Sequence, residues 1–426
     1  MQTRLLWRRS ATAIGLYGSV AIGLLGGLVA ARELHPSGYG LYSLAVFGAG
    51  FFQVLLDLTV EEAMIKYGFR YTTIESWGRL RRLYRRSMAL KTAGAAIASV
   101  ALLIVAPFAD ALFNGHGLRD PFLLAALLPL SFIPEAPAGA ALVLDGRYER
   151  RAAFNFLTAA LRAAGLVSGA HFGVTEAILG LVLGQLAGSA AVSAAALRAF
   201  SRFPDAPPEP LGEDRKEIVD FVVRSSIGST IVSIRAAVVP LLLGIVSVPR
   251  EVGYFRAGQA PQTGLTALTA PARLILITEQ TRDWEAGATA RVFAGLRTYS
   301  LAALAAMLVS VPFLYWWMPD IVAIAYGDDY RPAGDAARLM LLSGAVALVF
   351  AWTKSLPVSV GRPELRIVTH GVETVVLVPL VLILGSLWDA TGAAAAVLIA
   401  TGVFAGVWLV ALVRLQREQT PAAATS

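Results

Sequence analysis

Apolar runs of helix length follow one another along almost the whole chain, separated by short polar connections. About 20 apolar residues make one α-helix that crosses a bilayer, and roughly twelve such runs can be marked. They cover 11–31, 41–65, 88–109, 121–144, 153–172, 176–197, 218–247, 254–280, 293–317, 336–358, 366–387 and 391–413. The pattern predicts an all-α, polytopic membrane protein with about 12 transmembrane helices. Positive charge alternates along the connections. Lys66, Arg70, Arg79, Arg81, Arg82, Arg85 and Arg86 follow the second run. Arg147, Arg150 and Arg151 follow the fourth, and Arg198, Arg202, Arg215 and Lys216 the sixth. With these boundaries about 25 basic residues fall on one side and about 5 on the other, which places both termini in the cytoplasm. Arg4, Arg8 and Arg9 precede the first run as they would in a signal peptide, but 11–31 exceeds a usual signal h-region and reads as a retained helix.

The longest polar connection, Arg198 to Glu217, contains Pro204, Pro207, Pro208 and Pro210 and reads as a stiff, extended linker. It divides the chain into an N-terminal lobe (1–200, helices 1–6), a cytoplasmic linker (201–217), and a C-terminal lobe (218–426, helices 7–12) with a short cytoplasmic tail. The lobes look related. Gly38-Tyr39 and Gly253-Tyr254 open the second and eighth helices, and Gly146-Arg147 and Gly361-Arg362 follow the fourth and tenth; both pairs are offset by 215 residues. With six helices per lobe, the two would share one orientation, as a parallel repeat about an axis along the membrane normal.

Composition narrows the chemistry. The chain has 426 residues, 56% hydrophobic and 15% charged, with no loop long enough for a folded extramembrane domain. Its net charge of +7 is explained by basic cytoplasmic loops rather than by nucleic acid. The absence of cysteine excludes disulfides, thiol catalysis and Cys-based metal sites. His35, His116, His171 and His370 show no metal-ligand spacing, no Gly-rich phosphate loop is present, and Asp328-Asp329 reads as a turn. No cofactor, no metal and no enzymatic reaction are expected. Glycines at four-residue spacing (Gly23/Gly27, Gly165/Gly169, Gly180/Gly184/Gly188, Gly402/Gly406) read as close helix packing. Pro240, Pro261, Pro271, Pro312 and Pro357 read as tolerated kinks.

Ionisable residues inside a span are costly and mark candidate function. The basic ones are Arg162, Arg224, Arg235, Arg273, Arg338 and Lys354; the acidic ones are Asp57, Glu61, Glu62, Glu135 and Glu373. Arg224 and Arg338 lie near span ends and can snorkel, as can Lys354, which can also point inward. Arg162 and Arg235 lie mid-span, where a guanidinium faces either a wet cavity or a carboxylate, and both readings stand open; so they do for Arg273, in the cytoplasmic half of its helix. Several permanent cations would suit a pyrophosphate or an acidic sugar. Asp57 and Glu61, four residues apart, share a helix face and either neutralise an Arg or contact the cytoplasmic loop. Glu135, between Pro134 and Pro137, is a proton or cation site or the partner of Arg162 or Arg235.

Three segments carry a family resemblance. They are Leu34-His35-Pro36-Ser37-Gly38-Tyr39-Gly40-Leu41-Tyr42-Ser43-Leu44-Ala45 followed by Leu56-Asp57-Leu58, then Val252-Gly253-Tyr254-Phe255-Arg256-Ala257, and Tyr326-Gly327-Asp328-Asp329-Tyr330. They resemble the first loop and second helix of the polysaccharide-transport family, its second-lobe counterpart, and the loop before its tenth helix. These are O-antigen-type oligosaccharide-lipid flippases of the multidrug/oligosaccharidyl-lipid/polysaccharide exporter (MOP) superfamily. The family usually has a Gly soon after the Asp of the second helix, where this chain continues Leu58-Thr59-Val60. The resemblance implies two six-helix lobes around a central cationic cavity, here supplied by Arg162, Arg235 and Arg273 with Lys354. It implies a flippase moving a polyprenyl-pyrophosphate-linked oligosaccharide across the bacterial cytoplasmic (inner) membrane by alternating access, for surface polysaccharide biosynthesis. Its partners would be that substrate, membrane lipids and other polysaccharide-assembly proteins. The alternatives are a multidrug antiporter or lipid II flippase of the same superfamily, and, more remotely, a membrane-embedded polysaccharide polymerase.

Overall fold

A helix of 40 residues is about 60 Å long, twice the thickness of a bilayer core, so the longest helices of this protein must bend or project beyond it. The computed structural model describes residues 2–56, 59–362 and 364–419. The described residues are helical with no strand, and eight helices are long and apolar enough to cross a membrane, or nine if the bent pair Asp214–Ile231 and Ser233–Val246 counts as one span. Two of the eight are each a pair of helices merged at a kink. α1 (Gln2–Leu56) leaves helical geometry at His35 (φ 55°), where the following Pro36 disfavours the α conformation. The last helix, Glu364–Gln419, breaks at Trp388 and Asp389. At each kink the sequence had placed a boundary between two spans. The protein is thus a multi-pass helical membrane protein, and the exposed apolar surface fits a lipid surround: Leu308, Val309, Phe313, Trp316 and Ile324 all lie exposed on one helix, Thr289–Tyr326.

The chain forms two compact units, Met1–Leu241 and Leu242–Ser426. In the first unit, α2 (Val60–Thr73) starts a new helix after Thr59, so the predicted run 41–65 is broken and the spacing from Asp57 to Glu61 does not run through one helix. Asp57 itself lies outside the described residues. α3 (Trp77–Val105) begins before the arginine-rich stretch, which the sequence reading treats as a connection; only a short turn separates it from α2. A 3₁₀ turn and α4 (Ala109–Leu112) follow. The predicted fourth span is divided into α5 (Arg119–Ala125), α6 (Leu127–Ser131) and α7 (Glu135–Leu144). Pro129, Pro134 and Pro137 lack the N–H groups an unbroken helix would use. Next come α8 (Tyr148–Ala170), α9 (Val174–Phe200) and α10 (Asp214–Val246).

Glycine brings α8 and α9 into backbone contact. A methyl group added to Gly165 would overlap the carbonyl oxygen of Gly180; one on Gly169 would overlap that of Glu176, and one on Gly184 that of Leu161. Gly188 makes room for the side chain of Thr158. This is the small-residue packing of membrane helices. The expectation fails elsewhere: among the described residues nothing lies within 4 Å of a methyl placed on Gly23, Gly402 or Gly406. Spacing finds a face, but not whether another backbone reaches it.

The linker is fastened to the first unit. The Glu209 N–H donates to the Gly78 carbonyl (3.1 Å), Arg81 pairs with Asp205 (3.0 Å), and Trp77 stacks on Phe203 (5.5 Å). The start of α10 is held too. Tyr71 donates to Asp214 (3.0 Å), and Arg70 reaches Asp214 (3.4 Å) and Glu217 (2.9 Å). Burial first, and then that hydrogen bond, push the Tyr71 phenol well above its ordinary pKa. Further along, the Thr59 N–H donates to Ser226 Oγ (2.9 Å), and Thr230 to the Val54 carbonyl (3.3 Å).

The second unit contains α11 (Pro249–Gly258), α12 (Ala260–Glu285), α13 (Thr289–Tyr326), α14 (Gly334–Val349), α15 (Leu356–Ser359) and α16 (Glu364–Gln419). The predicted run 254–280 falls on α11 and α12, parted at Gln259; α11 is too short to span and α12 is not apolar enough. α12 carries Gln262, Thr263, Thr266 and Thr269, which explains the shortfall. The repeat appears as geometry. Gly146 (φ +71°) and Gly361 (φ +68°) both end a helix. In the first, the N–H groups of Gly146 and Arg147 bond the carbonyls of Val143 and Leu142; in the second, those of Gly361 and Arg362 bond Val358 and Pro357. This is one glycine C-cap, built twice at the 215-residue offset.

Candidate functional site

Breaking the fourth span has a chemical consequence. It starts α7 at Glu135, between two prolines, and turns that residue towards a cavity of about 230 Å³ inside the first unit. Gln53 and Leu56 at the end of α1 line this cavity together with Glu61 of α2, Lys91 of α3, Phe132, and Arg151 and Asn155 of α8. Two carboxylates, an ammonium and a guanidinium therefore surround one space.

Each charge is positioned. Glu61 and Arg151 form an ion pair, both about a third exposed. Gly139 of α7 lets them lie against the helix: a methyl there would be 3.2 Å from Arg151 Nε and 3.4 Å from Glu61 Oε1. Glu135 Oε2 accepts a hydrogen bond from Gln185 Nε2 of α9 (3.0 Å). Gln185 is fully buried and also donates to Ser189 Oγ (2.9 Å), which donates to the Ser131 carbonyl (2.7 Å). This chain ties the broken span to α9 at the point where it breaks. Buried polar groups normally find partners, yet the Gln185 Oε1 and Arg162 Nε atoms are buried without a hydrogen bond among the described residues.

Arg162 lies on α8 behind the cavity wall, with its guanidinium 5.2 Å from the centre of the Phe132 ring. Among the described residues it has no carboxylate partner; Glu135, one of its sequence-level partners, is engaged by Gln185 instead. Gly184 makes room here, since a methyl on it would come 2.8 Å from the Arg162 Cα. Arg235 is half-buried on α10. Arg273 lies on α12, with its side chain outside the described residues. Lys354 ends a 3₁₀ turn, Ala351–Lys354, that breaks the predicted tenth span, and its Nζ donates to Thr269 Oγ1 (3.4 Å). Glu373 is buried in α16 and bonded to His370 Nδ1 (3.0 Å), whose ring stacks on Phe404. Glu61 and Glu135 thus share one cavity; Lys354 and Glu373 belong to the second unit and are not part of it. Arg224 and Arg338 pair locally with Asp220 and Asp335, both at 2.9 Å.

Sequence reasoning missed Lys91 and Gln185. Lys91 falls inside the run 88–109 and was open to the same argument as the other intramembrane charges. Gln185, being uncharged, is invisible to a search for ionisable groups. Among the described residues no cluster of His, Asp or Glu could hold a metal ion.

The ion pair can be tested by itself. Arg151→Gln leaves the Glu61 carboxylate near that of Glu135 and is expected to lower stability by about 1–2 kcal/mol. Adding Glu61→Gln should restore at least half of the loss. Thermal melting of the four proteins in detergent measures the coupling, and strict additivity would show that the contact contributes nothing.

No family model matches this chain, and no curated protein matches it. Solved structures do, at low identity. An inward-facing multidrug resistance MATE family transporter of the MOP superfamily superposes with a TM-score of 0.68 at 14% identity, covering 97% of this chain and 100% of that one. The lipid II flippase MurJ, in an inward closed conformation, gives 0.70 at 12%, covering 94% of this chain and 87% of that one. The Vibrio cholerae MATE transporter VcmN in its bent form gives 0.56 at 11%, covering 98% and 97%. The chain therefore shares the polytopic membrane fold of these MATE and MurJ structures.

Proposed function

We propose that this protein is a flippase that moves a polyprenyl-pyrophosphate-linked oligosaccharide from the cytoplasmic to the outer leaflet of the bacterial inner membrane, with both termini cytoplasmic. Glycan and pyrophosphate would pass through a wet interior by alternating access while the polyprenyl tail stays in the bilayer. The observation that carries this reading is Arg162: a guanidinium in a spanning helix, without a carboxylate partner among the described residues, in a fold shared with transporters. A cation kept inside a membrane protein at a cost of about 2.5–3.5 kcal/mol calls for an anionic partner, and a pyrophosphate presents one to a planar fork of donors. Each charge crossing the membrane gains about 2.3 kcal/mol per 100 mV, so an anionic headgroup moving out of a negative interior moves downhill. Arg235, Arg273 and Lys354 would add to the anion-binding set, and Asp57, Glu61, Glu135 and Glu373 would serve charge pairing or coupling.

One observation favours a second reading, a multidrug antiporter: Glu61 and Glu135 both line the first unit's cavity, and carboxylates suit cationic cargo. The two separate in cells lacking their own lipid-linked oligosaccharide flippase. Wild-type protein is expected to restore surface glycan, detected by blotting, and to leave the cells' sensitivity to cationic drugs unchanged. Drug resistance without glycan display would overturn the flippase reading in favour of the antiporter, and rescue of lipid II supply alone would point to peptidoglycan precursor transport.

A further inference from the structure

α8 and α9 enclose a second space at their arginine-bearing ends, a groove of about 330 Å³. Arg147, Arg150, Arg198 and Arg202 rim it, and Phe154 and Leu157 help to floor it. The one carboxylate in the lining, Asp145, already accepts from Arg147 (2.6 Å) and Arg202 (3.0 Å). Arg150 and Arg198 are exposed and make no ion pair among the described residues.

The register orders these groups by depth. Arg150, Phe154 and Leu157 recur at helical spacing on one face of α8, and Ala195, Arg198 and Ala199 do so on α9, with Arg202 in the turn that follows it. Charge therefore gives way to apolar surface within one turn, about 5 Å. Leu157, in the groove lining, is exposed. The arginines cap two candidate spans, Tyr148–Ala170 and Val174–Phe200, at the ends that the charge pattern assigns to the cytoplasm. The groove thus sits at the headgroup level, with guanidiniums where phosphates lie and apolar side chains where acyl chains begin.

We propose that this groove binds the phosphate headgroup of an anionic membrane phospholipid, held by Arg150 and Arg198, with an acyl chain against Phe154 and Leu157. Basic pockets between membrane helices on the cytoplasmic side recognise such headgroups, and a guanidinium grips phosphate with two parallel hydrogen bonds. A soluble phosphate would leave the apolar floor unused, whereas a phospholipid uses both parts. The site is independent of the transported substrate.

Native mass spectrometry of the purified full chain, titrated with phosphatidylglycerol or phosphatidylcholine, tests this. The Arg150→Gln/Arg198→Gln variant is expected to bind phosphatidylglycerol about tenfold more weakly than wild type, with phosphatidylcholine unchanged. A control, Arg85→Gln/Arg86→Gln, removes the same charge from exposed positions on α3 and should change binding less than twofold. Equal losses in both variants would mean general surface charge and overturn the proposal, as would no loss in the groove variant. Displacement of the lipid by an equal concentration of inorganic phosphate would also overturn it, reducing the groove to an anion site. If the double variant is not recovered folded, Arg198→Gln alone carries the test, with a severalfold loss expected and an unchanged affinity overturning it.

Discussion

Gly180→Leu should leave little folded protein. The α8–α9 contact is made by backbone, with the Gly165 and Gly180 main chains touching, and a backbone cannot rotate aside as a side chain can. A leucine forces the helices apart along the whole seam from Gly169–Glu176 to Thr158–Gly188 and pulls Gln185 away from Glu135. The expected cost is at least about 4 kcal/mol, at the upper end for single substitutions, or a fall of about 5 °C or more in melting temperature for a chain of this length. Scanning fluorimetry and gel filtration in detergent read it directly. Gly402→Ala is the matched control: nothing lies within 4 Å of the added methyl, so its melting temperature should stay within about 2 °C of wild type. A Gly180→Leu protein that melts with the wild type would show that the two helices do not meet as described.

Arg162→Leu should do the opposite, leaving the fold and removing transport. The internal repeat supplies the argument. At the 215-residue offset that separates the two glycine caps, Arg162 falls on Leu377, which is buried in α16. The second unit thus buries a leucine at the position that this offset reaches. In the first unit the guanidinium's recorded contact is the Phe132 ring, a cation–π interaction of about 1–2 kcal/mol, and leucine replaces part of it with apolar contact. Surface glycan in complemented cells should fall at least tenfold at equal membrane abundance, with melting unchanged. Arg162→Lys should recover only part, since an ammonium keeps the charge but loses the planar fork. Full glycan display from Arg162→Leu would make this arginine a packing residue and remove the main support for an anionic substrate.

The membrane fold was readable because hydrophobic length and loop charge are local properties: the boundaries placed between 31 and 41 and between 387 and 391 fall on the kinks at His35 and Trp388–Asp389. The duplicated cap was readable because Gly146 and Gly361 do one job, a positive φ that other residues adopt at a cost. Partners were not readable. Glu135 was a sound candidate from its two prolines, but its choice of Gln185 over an arginine depends on how α9 crosses the broken span. Glu61 found Arg151 across 90 residues of sequence. No periodicity encodes such pairings, which arise only after glycines have set the distance between helices.

The fastened linker bears on how force travels through the first unit. A stiff proline-rich segment such as Pro204–Pro210 reaches about 3 Å per residue, and left unfastened it would still leave slack between the elements it joins. With Glu209 bonded to Gly78, Asp205 to Arg81, and Asp214 to Tyr71, that slack has already been taken up. The segment behaves as a taut cable rather than a spring, and a pull on α10 is felt at once at the facing ends of α2 and α3.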